Sequence, residues 1–218
     1  MKLRIIVPET RFDRLARWLL FLVGIVCLGI YCYSYLYRTA YQIYLGWQFD
    51  RELAEGAPEK AEPAPASKPA APPALLPDPD RGSPIVASTQ TIIGRVTIRR
   101  LHVSAMVEEG VDSRTLSRAI GHIPGTAFPG QPGNVGIAGH RDTFLRALRD
   151  LHPYDKIDFT TRSGHYHYRV ESLTIVDPTD VEVLKPTKRQ ALTIVTCFPF
   201  NYIGNAPRRF IVRAVSEP

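Results

Sequence analysis

Twenty consecutive residues, 18–37, carry no charge. Built as a helix at 1.5 Å per residue they span about 30 Å, the thickness of a bilayer's hydrocarbon core. The run is apolar on every side, whereas a helix buried against a soluble core has one polar face. Before it lie Lys2, Arg4, Arg11, Arg14 and Arg17 against Glu9 and Asp13; after it, Arg38 is the sole basic residue until Arg51. The positive-inside bias therefore predicts a cytoplasmic segment 1–17, a transmembrane anchor 18–37 and everything beyond outside the cell. Tyr31, Tyr33, Tyr35, Tyr37, Tyr41, Tyr44 and Trp47 would form the outer aromatic belt. A cleavable signal peptide is the competing reading. The run is longer than a usual h-region, and aromatic residues stand where a small-x-small cleavage site belongs. Cys27 and Cys32 lie within the run, where a thiol packs as an apolar group and stays inert. Lipidation is the alternative for them, disfavoured because neither sits at the cytoplasmic edge.

Composition then divides the remainder. Residues 38–55 continue the helical pattern as a juxtamembrane helix. Between residues 56 and 84 there are nine prolines among Ala, Glu and Lys, so 56–90 reads as a linker with polyproline II character. Fully extended at ~3.1 Å per residue it would reach ~90 Å, a stalk or a tether of no set length. The domain proper is assigned to residues 91–218. The chain's net charge is +6, but an extracytoplasmic domain with scattered basic residues points to an ordinary basic surface, with no nucleic-acid partner.

Within the domain the apolar pattern is that of short strands. Residues 92–98 and 101–107 read as a pair, 157–161 and 165–176 as a hairpin across Arg162-Ser163-Gly164, and 193–197 as a buried β-branched strand. Residues 113–120 suit a short helix capped by Asp112. Phe144, Leu145, Leu148 and Leu151 share one face of a helical turn or two. Many short strands with brief helices predict a mainly β fold, closed or nearly closed into a barrel.

Cys197 is the single cysteine outside the apolar run, so no intrachain disulfide can form in the exported part, and a lone thiol there points to reactivity. It ends the strand Thr193-Ile194-Val195-Thr196-Cys197 and is followed by Pro199, which cannot continue a ladder. A second strand opens at Arg208-Arg209-Phe210-Ile211-Val212-Arg213. Upstream, Gly133-Asn134-Val135-Gly136-Ile137-Ala138-Gly139-His140 is a strand running into a histidine. A strand-end Cys, a strand-end His and an Arg opening the next strand are the parts of thiol acyl transfer.

The order His, Cys, Arg, with Thr-x-Thr-Cys before the thiol and Arg-apolar-apolar-Val after it, resembles the sortases. Gly139-His140-Arg141-Asp142-Thr143-Phe144 and Asn205-Ala206-Pro207-Arg208-Arg209-Phe210-Ile211-Val212-Arg213 resemble the class D branch, and the likeness covers roughly residues 91–215. The resemblance implies a closed eight-stranded barrel. It also implies a membrane-anchored cysteine transpeptidase cutting an exported protein at a Leu-Pro-x-Thr-like sorting signal. The acyl group would pass to an amine, either a cell-wall precursor or a pilin-like lysine. Cys197 would be the nucleophile, His140 the general acid and base, and Arg209 the oxyanion partner. Strand alternation sets Arg208 on the opposite face. The loop 177–190 resembles the one that reads the sorting signal; Val181, Val183 and Leu184 would line an apolar groove there or pack the loop itself, and Thr196 is included with the substrate contacts.

No cofactor is implied. His165 and His167 share a strand face but lack further convergent ligands for zinc. His102, His122 and His152 read as surface or turn residues, and Asp142 as structural. Glu108, Glu109 and Asp112 lie where some sortases bind calcium, though three acids on one loop are usually just solvated. Two other classes stay in view: a thiol peptidase hydrolysing exported peptides, and a catalytically silent stalked binding barrel.

Overall fold

Eight strands close into one barrel in a computed structural model that describes residues 11–55 and 91–217. The described residues form two compact units that divide between Tyr41 and Gln42. Helix α1 (Arg11–Glu55) begins in the first unit, where its apolar side chains, among them Leu20, Val26 and Ile30, are exposed. It is the one helix among the described residues long and apolar enough to cross a membrane. The linker expectation (56–90) and the N-terminal Lys2 and Arg4 lie outside the described residues.

The second unit holds β1 (Ile92–Ile98), β2 (Val103–Glu109), α2 (Ser113–Arg118), β3 (Ile120–His122), β4 (Asn134–Ala138), β5 (Lys156–Thr161), β6 (Gly164–Val176), β7 (Ala191–Phe198) and β8 (Arg208–Ser216). Around the barrel the order is β1-β2-β3-β4-β7-β8-β6-β5, closing back on β1. The β2–β3 and β4–β7 pairs are parallel and the rest antiparallel. Along β1 burial alternates, with Val96 and Ile98 pointing into the core. Val135, Ile137, Phe159, Tyr168, Val170, Leu192, Ile194 and Val212 fill that core, with Leu145, Leu148 and Leu151 plugging it from the 145–151 turn.

Strand β7 lacks alternation because both of its faces are covered: every residue from Ala191 to Thr196 is buried. Leu192 and Ile194 point inward. On the outer face Val195 joins Ile123, Leu184 and Ile211 in a second apolar cluster. The short 3₁₀ turn Glu182–Leu184 is pinned over this face, with the Val183 carbonyl accepting from Asn134 Nδ2 (3.1 Å) and Arg213 Nη1 (3.3 Å).

Residues 42–55 of α1 pack within the second unit. Phe49 is fully buried and Leu45 nearly so; burying such a ring contributes about 2–3 kcal/mol. Gln42 bridges two elements. Its Nε2 donates to the Arg118 carbonyl (2.6 Å), and its Oε1 accepts from the Met106 N–H (2.9 Å). Asp50 pairs with Arg95 (2.9 Å) and Glu52 with Arg162 (2.7 Å).

Local expectations fare unevenly. Asp112 does cap α2, accepting from the N–H groups of Arg114 and Thr115. Strand β3 replaces the end of the expected helix 113–120: the chain leaves α2 at Ala119 and pairs in parallel with β2 for three residues, too few to leave a periodic trace. His122 is not a surface residue. It is 1 % exposed, with Nδ1 2.7 Å from Glu109 and Nε2 3.0 Å from the Ala127 carbonyl, and its ring stacks on Phe128.

Candidate active site

Strand register, rather than proximity in sequence, assembles the site. Cys197 pairs directly with Arg209 across the antiparallel β7–β8 ladder, and Phe198 pairs with Arg208. Directly opposed residues project to the same face, with Cβ atoms about 5 Å apart. On the other side, the parallel β4–β7 ladder runs Gly136↔Thr193, Ile137↔Ile194, Ala138↔Val195. The register ends there, and the chain leaves β4 two residues before His140. The sequence-predicted His140, Cys197 and Arg209 thus stand in one row at the ends of three neighbouring strands, bordering one cavity.

The row is fastened at its backbone. Gly139 N–H donates to the Val195 carbonyl (3.1 Å), and Thr196 Oγ1 donates to the Gly139 carbonyl (2.8 Å). A side chain at position 139 would bring its Cβ to 2.9 Å from the Leu145 Cδ1, so a larger residue there must displace the buried Leu145 side chain. Thr196 therefore ties the histidine-bearing end of β4 to the cysteine strand, its hydroxyl spent on backbone. Arg209 donates from Nη1 to the carbonyls of Ala206 (3.1 Å) and Arg208 (3.2 Å), which fixes the guanidinium at the start of β8.

Cys197 is half-buried and opens on a cavity of about 100 Å³ lined by Val111, Leu116, Ile123, Ala138, Gly139, His140, Val195, Thr196, Cys197 and Arg209. Its floor is apolar and its rim carries the thiol, the imidazole and the guanidinium. A larger groove of about 370 Å³ lies elsewhere, between residues 101–105 and 143–150. It contains Arg146, Arg149, Asp150 and His102 with the hydroxyls of Ser104 and Thr143 but no cysteine, and size alone does not make it the chemical site.

Val181, Val183 and Leu184 do not line the Cys197 cavity. Leu184 is buried and Val183 half-buried in the outer cluster with Val195, Ile211 and Ile123, so both pack the turn onto β7 and β8, next to the residues that line the cavity. The apolar lining comes instead from Val111, Leu116 and Ile123, which sequence reasoning did not single out. Val111 lies in the loop after β2, Leu116 on α2 and Ile123 just past β3, and the short β3, invisible to pattern, brings them together.

The acidic loop is fully partnered. Glu108 pairs with Arg118 at 2.9 Å with both side chains buried, Glu109 with His122, and Asp112 with the α2 N-terminus. Burial pushes the Asp112 carboxyl up, but the Thr115 hydroxyl and the first α2 N–H groups outweigh it and hold it below its ordinary value. Among the described residues no group of His, Cys, Asp or Glu is arranged to hold a metal ion.

A sortase-domain family model matches residues 96–217, more than half of the chain. The chain belongs to the sortase family. Sortase D of Bacillus subtilis (strain 168) is 30% identical over 120 residues, covering 55% of this chain and 61% of that protein. The chain thus spans under two thirds of that relative's length. Among solved structures, the Clostridium perfringens Sortase D5 transpeptidase is 30% identical with a TM-score of 0.54, covering 58% of this chain and 79% of that one. A lid mutant of Sortase A from Corynebacterium diphtheriae is 26% identical with a TM-score of 0.56, covering 61% and 73%. The closed eight-stranded barrel is the sortase fold, and the class D likeness read in the sequence agrees with two of these three relatives.

Proposed function

We propose that this sortase is a membrane-anchored cysteine transpeptidase, with its N-terminus cytoplasmic and its barrel outside the cell. It cleaves a Leu-Pro-x-Thr-like signal in an exported protein and joins the new end to an amine. The observation that carries this reading is the row His140–Cys197–Arg209 on the rim of an apolar cavity. The cavity floor of Val111, Leu116, Ile123, Ala138 and Val195 suits the Leu and Pro side chains, while the scissile carbonyl lies over the thiol.

Chemistry follows from the row. The Cys197 thiolate adds to the substrate carbonyl, and the tetrahedral oxyanion is stabilised by the Arg209 guanidinium. The C–N bond breaks as His140, protonated, gives its proton to the departing amine, leaving a thioester on Cys197. An incoming amine then attacks the thioester while His140 takes its proton; the new amide leaves and the thiolate is restored. Arg209 is suited to a fixed oxyanion because its charge is permanent and two of its N–H bonds already clamp it to the β8 entrance. The partners are therefore an exported protein bearing the signal and an amine of the envelope or of another protein, here a cell-wall precursor or a pilin-like lysine.

The test uses the full chain in detergent micelles with a library of Leu-Pro-x-Thr-x peptides, with and without added amine, followed by mass spectrometry. Cleavage after Thr with transfer to the amine, absent in Cys197→Ala, is expected. Cys197-dependent hydrolysis that ignores the amine would replace the reading with a thiol peptidase. No Cys197-dependent product would favour a binding barrel.

A further inference from the structure

A second cationic side chain borders the row. Arg141 follows His140, and its Nη2 donates to the carbonyls of Tyr202 (2.6 Å) and Gly204 (2.9 Å). The guanidinium carbon also lies 5.9 Å from the centroid of the Tyr202 ring. Tyr202 and Gly204 belong to the 199–207 loop, which joins the strand of Cys197 to the strand of Arg209. Arg141 therefore connects the histidine-bearing end of β4 to the segment between the other two members of the row.

The loop's ends are held without Arg141. At its start, the rings of Phe198, Phe200 and Phe210 pack on one another, with centroids 5.3–6.4 Å apart. At its end, Arg209 Nη1 holds the Ala206 carbonyl. The middle has no such anchor: Ile203 is 97 % exposed and buries nothing. The Arg141 side chain hydrogen-bonds this middle section. A planar guanidinium can reach two carbonyls and lie by a ring at once, which a lysine's single ammonium does less well.

The segment that Arg141 holds is not a buried strut: Tyr202 is 49 % exposed and Ile203 faces solvent, so the loop's middle can lift away from the barrel without uncovering core. We propose that Arg141 is a positioning residue, a releasable latch that holds the 199–207 loop beside Cys197 and limits water's access to the acyl-enzyme. The kinetic consequence rests on the transpeptidase reading above; the latch itself does not.

Two arms keep these apart. In the first, the full chain in micelles is digested briefly with chymotrypsin, and cleavage after Tyr202 is quantified by mass spectrometry for wild type, Arg141→Lys and Arg141→Ala. Cleavage there should accelerate about tenfold in Arg141→Ala and less in Arg141→Lys, as expected for loss of two charge-assisted bonds, with other sites in the barrel unchanged. In the second, the hydrolysis-to-transfer ratio is measured on a peptide that wild type turns over. It should rise severalfold in Arg141→Ala while KM for the peptide moves little, with Arg141→Lys partly restoring transfer. Unchanged cleavage after Tyr202 would overturn the latch, as would faster cleavage at every site with a lowered Tm. A faster Tyr202 cut with an unchanged ratio would overturn its role in excluding water. Should wild type turn over no peptide, the transpeptidase reading fails while the first arm still decides the latch.

Discussion

Two places on the barrel gather ionisable side chains, and they differ in what those groups face. At the β2–α2 edge, Glu108 meets Arg118, Glu109 meets His122, and Asp112 meets backbone N–H groups, with Glu108, Arg118 and His122 all under 6 % exposed. At the β4–β7–β8 rim, His140, Cys197 and Arg209 border an open cavity with an apolar floor. The first cluster is closed on itself and has polar capacity only for its own fold. The second is turned towards space that a substrate can fill. Charge density alone would not separate them, since the β2–α2 edge holds more acids and bases. Orientation towards a cavity does.

The comparison breaks most visibly at the thiol. Cys197→Ala should lower peptide turnover by about 10³-fold or more, because no other group at the rim can form the acyl-enzyme; a rate near wild type would move the chemistry elsewhere. Next comes Arg209→Lys, expected to cost about 10²-fold in kcat, the scale of losing an oriented oxyanion donor, with little change in Tm. At the β2–α2 edge the ranking inverts. Arg118→Met removes the buried cation beside the Glu108 carboxylate and should cost about 3–5 kcal/mol in denaturant unfolding, largely relieved when Glu108 is also replaced by Leu. If instead turnover fell with no change in stability, that edge would be part of the site.

A smaller effect concerns Tyr168, wholly buried in the core with its hydroxyl lacking a partner. Burial, aided by Tyr166, pushes its pKa up to about 12. The folded pKa lies above the unfolded value of about 10, so the unfolded chain gives up this proton first. The associated stability is whole below pH ~10 and lost as pH rises towards ~12, about 2 kcal/mol across that window. Tyr168→Phe should remove that alkaline loss and raise stability at pH 7 by about 1 kcal/mol; thermal melts at pH 7 and pH 11 check both. Smallest is Asp155, held below its ordinary value by the Arg100 side-chain hydrogen bond against the opposing effect of burial. Its contribution is present above pH ~4 and lost as pH falls further, so Asp155→Asn should flatten the acid limb of the melting curve slightly.

How much of this was legible in the sequence follows from the length and spacing of the signals. Strands β7 and β8 and the β5–β6 hairpin carry long β-branched or alternating runs, and their reading needed no tertiary knowledge. The row's members were legible as strand-end residues and through the family likeness. Their adjacency was not, because β4 and β7 pair in parallel across more than fifty residues of intervening chain. Strand β3 has only three residues, so its parallel pairing with β2, and with it the true lining of the cavity at Val111, Leu116 and Ile123, left no periodic trace. His122 read as exposed because its partner Glu109 lies thirteen residues away on a strand whose neighbour was missed. Val183 and Leu184 had two open readings, groove or packing; they lie beside Val195 and Ile211, a placement that pattern alone could not give. Residues 42–55 read as part of a membrane extension; the burial of Phe49, the two-way bonding of Gln42 and the Asp50–Arg95 and Glu52–Arg162 pairs place them against the barrel.

The most direct measurement is the intact mass of the full chain mixed with a cleavable Leu-Pro-x-Thr-x peptide and quenched in acid within seconds. A mass increase equal to the peptide's acyl fragment, mapped by digestion to Cys197 rather than Cys27 or Cys32 and released by hydroxylamine, is the expected result. Peptide cleavage with no adduct on Cys197, or an adduct that survives in Cys197→Ala, would contradict the assignment of this thiol as the nucleophile.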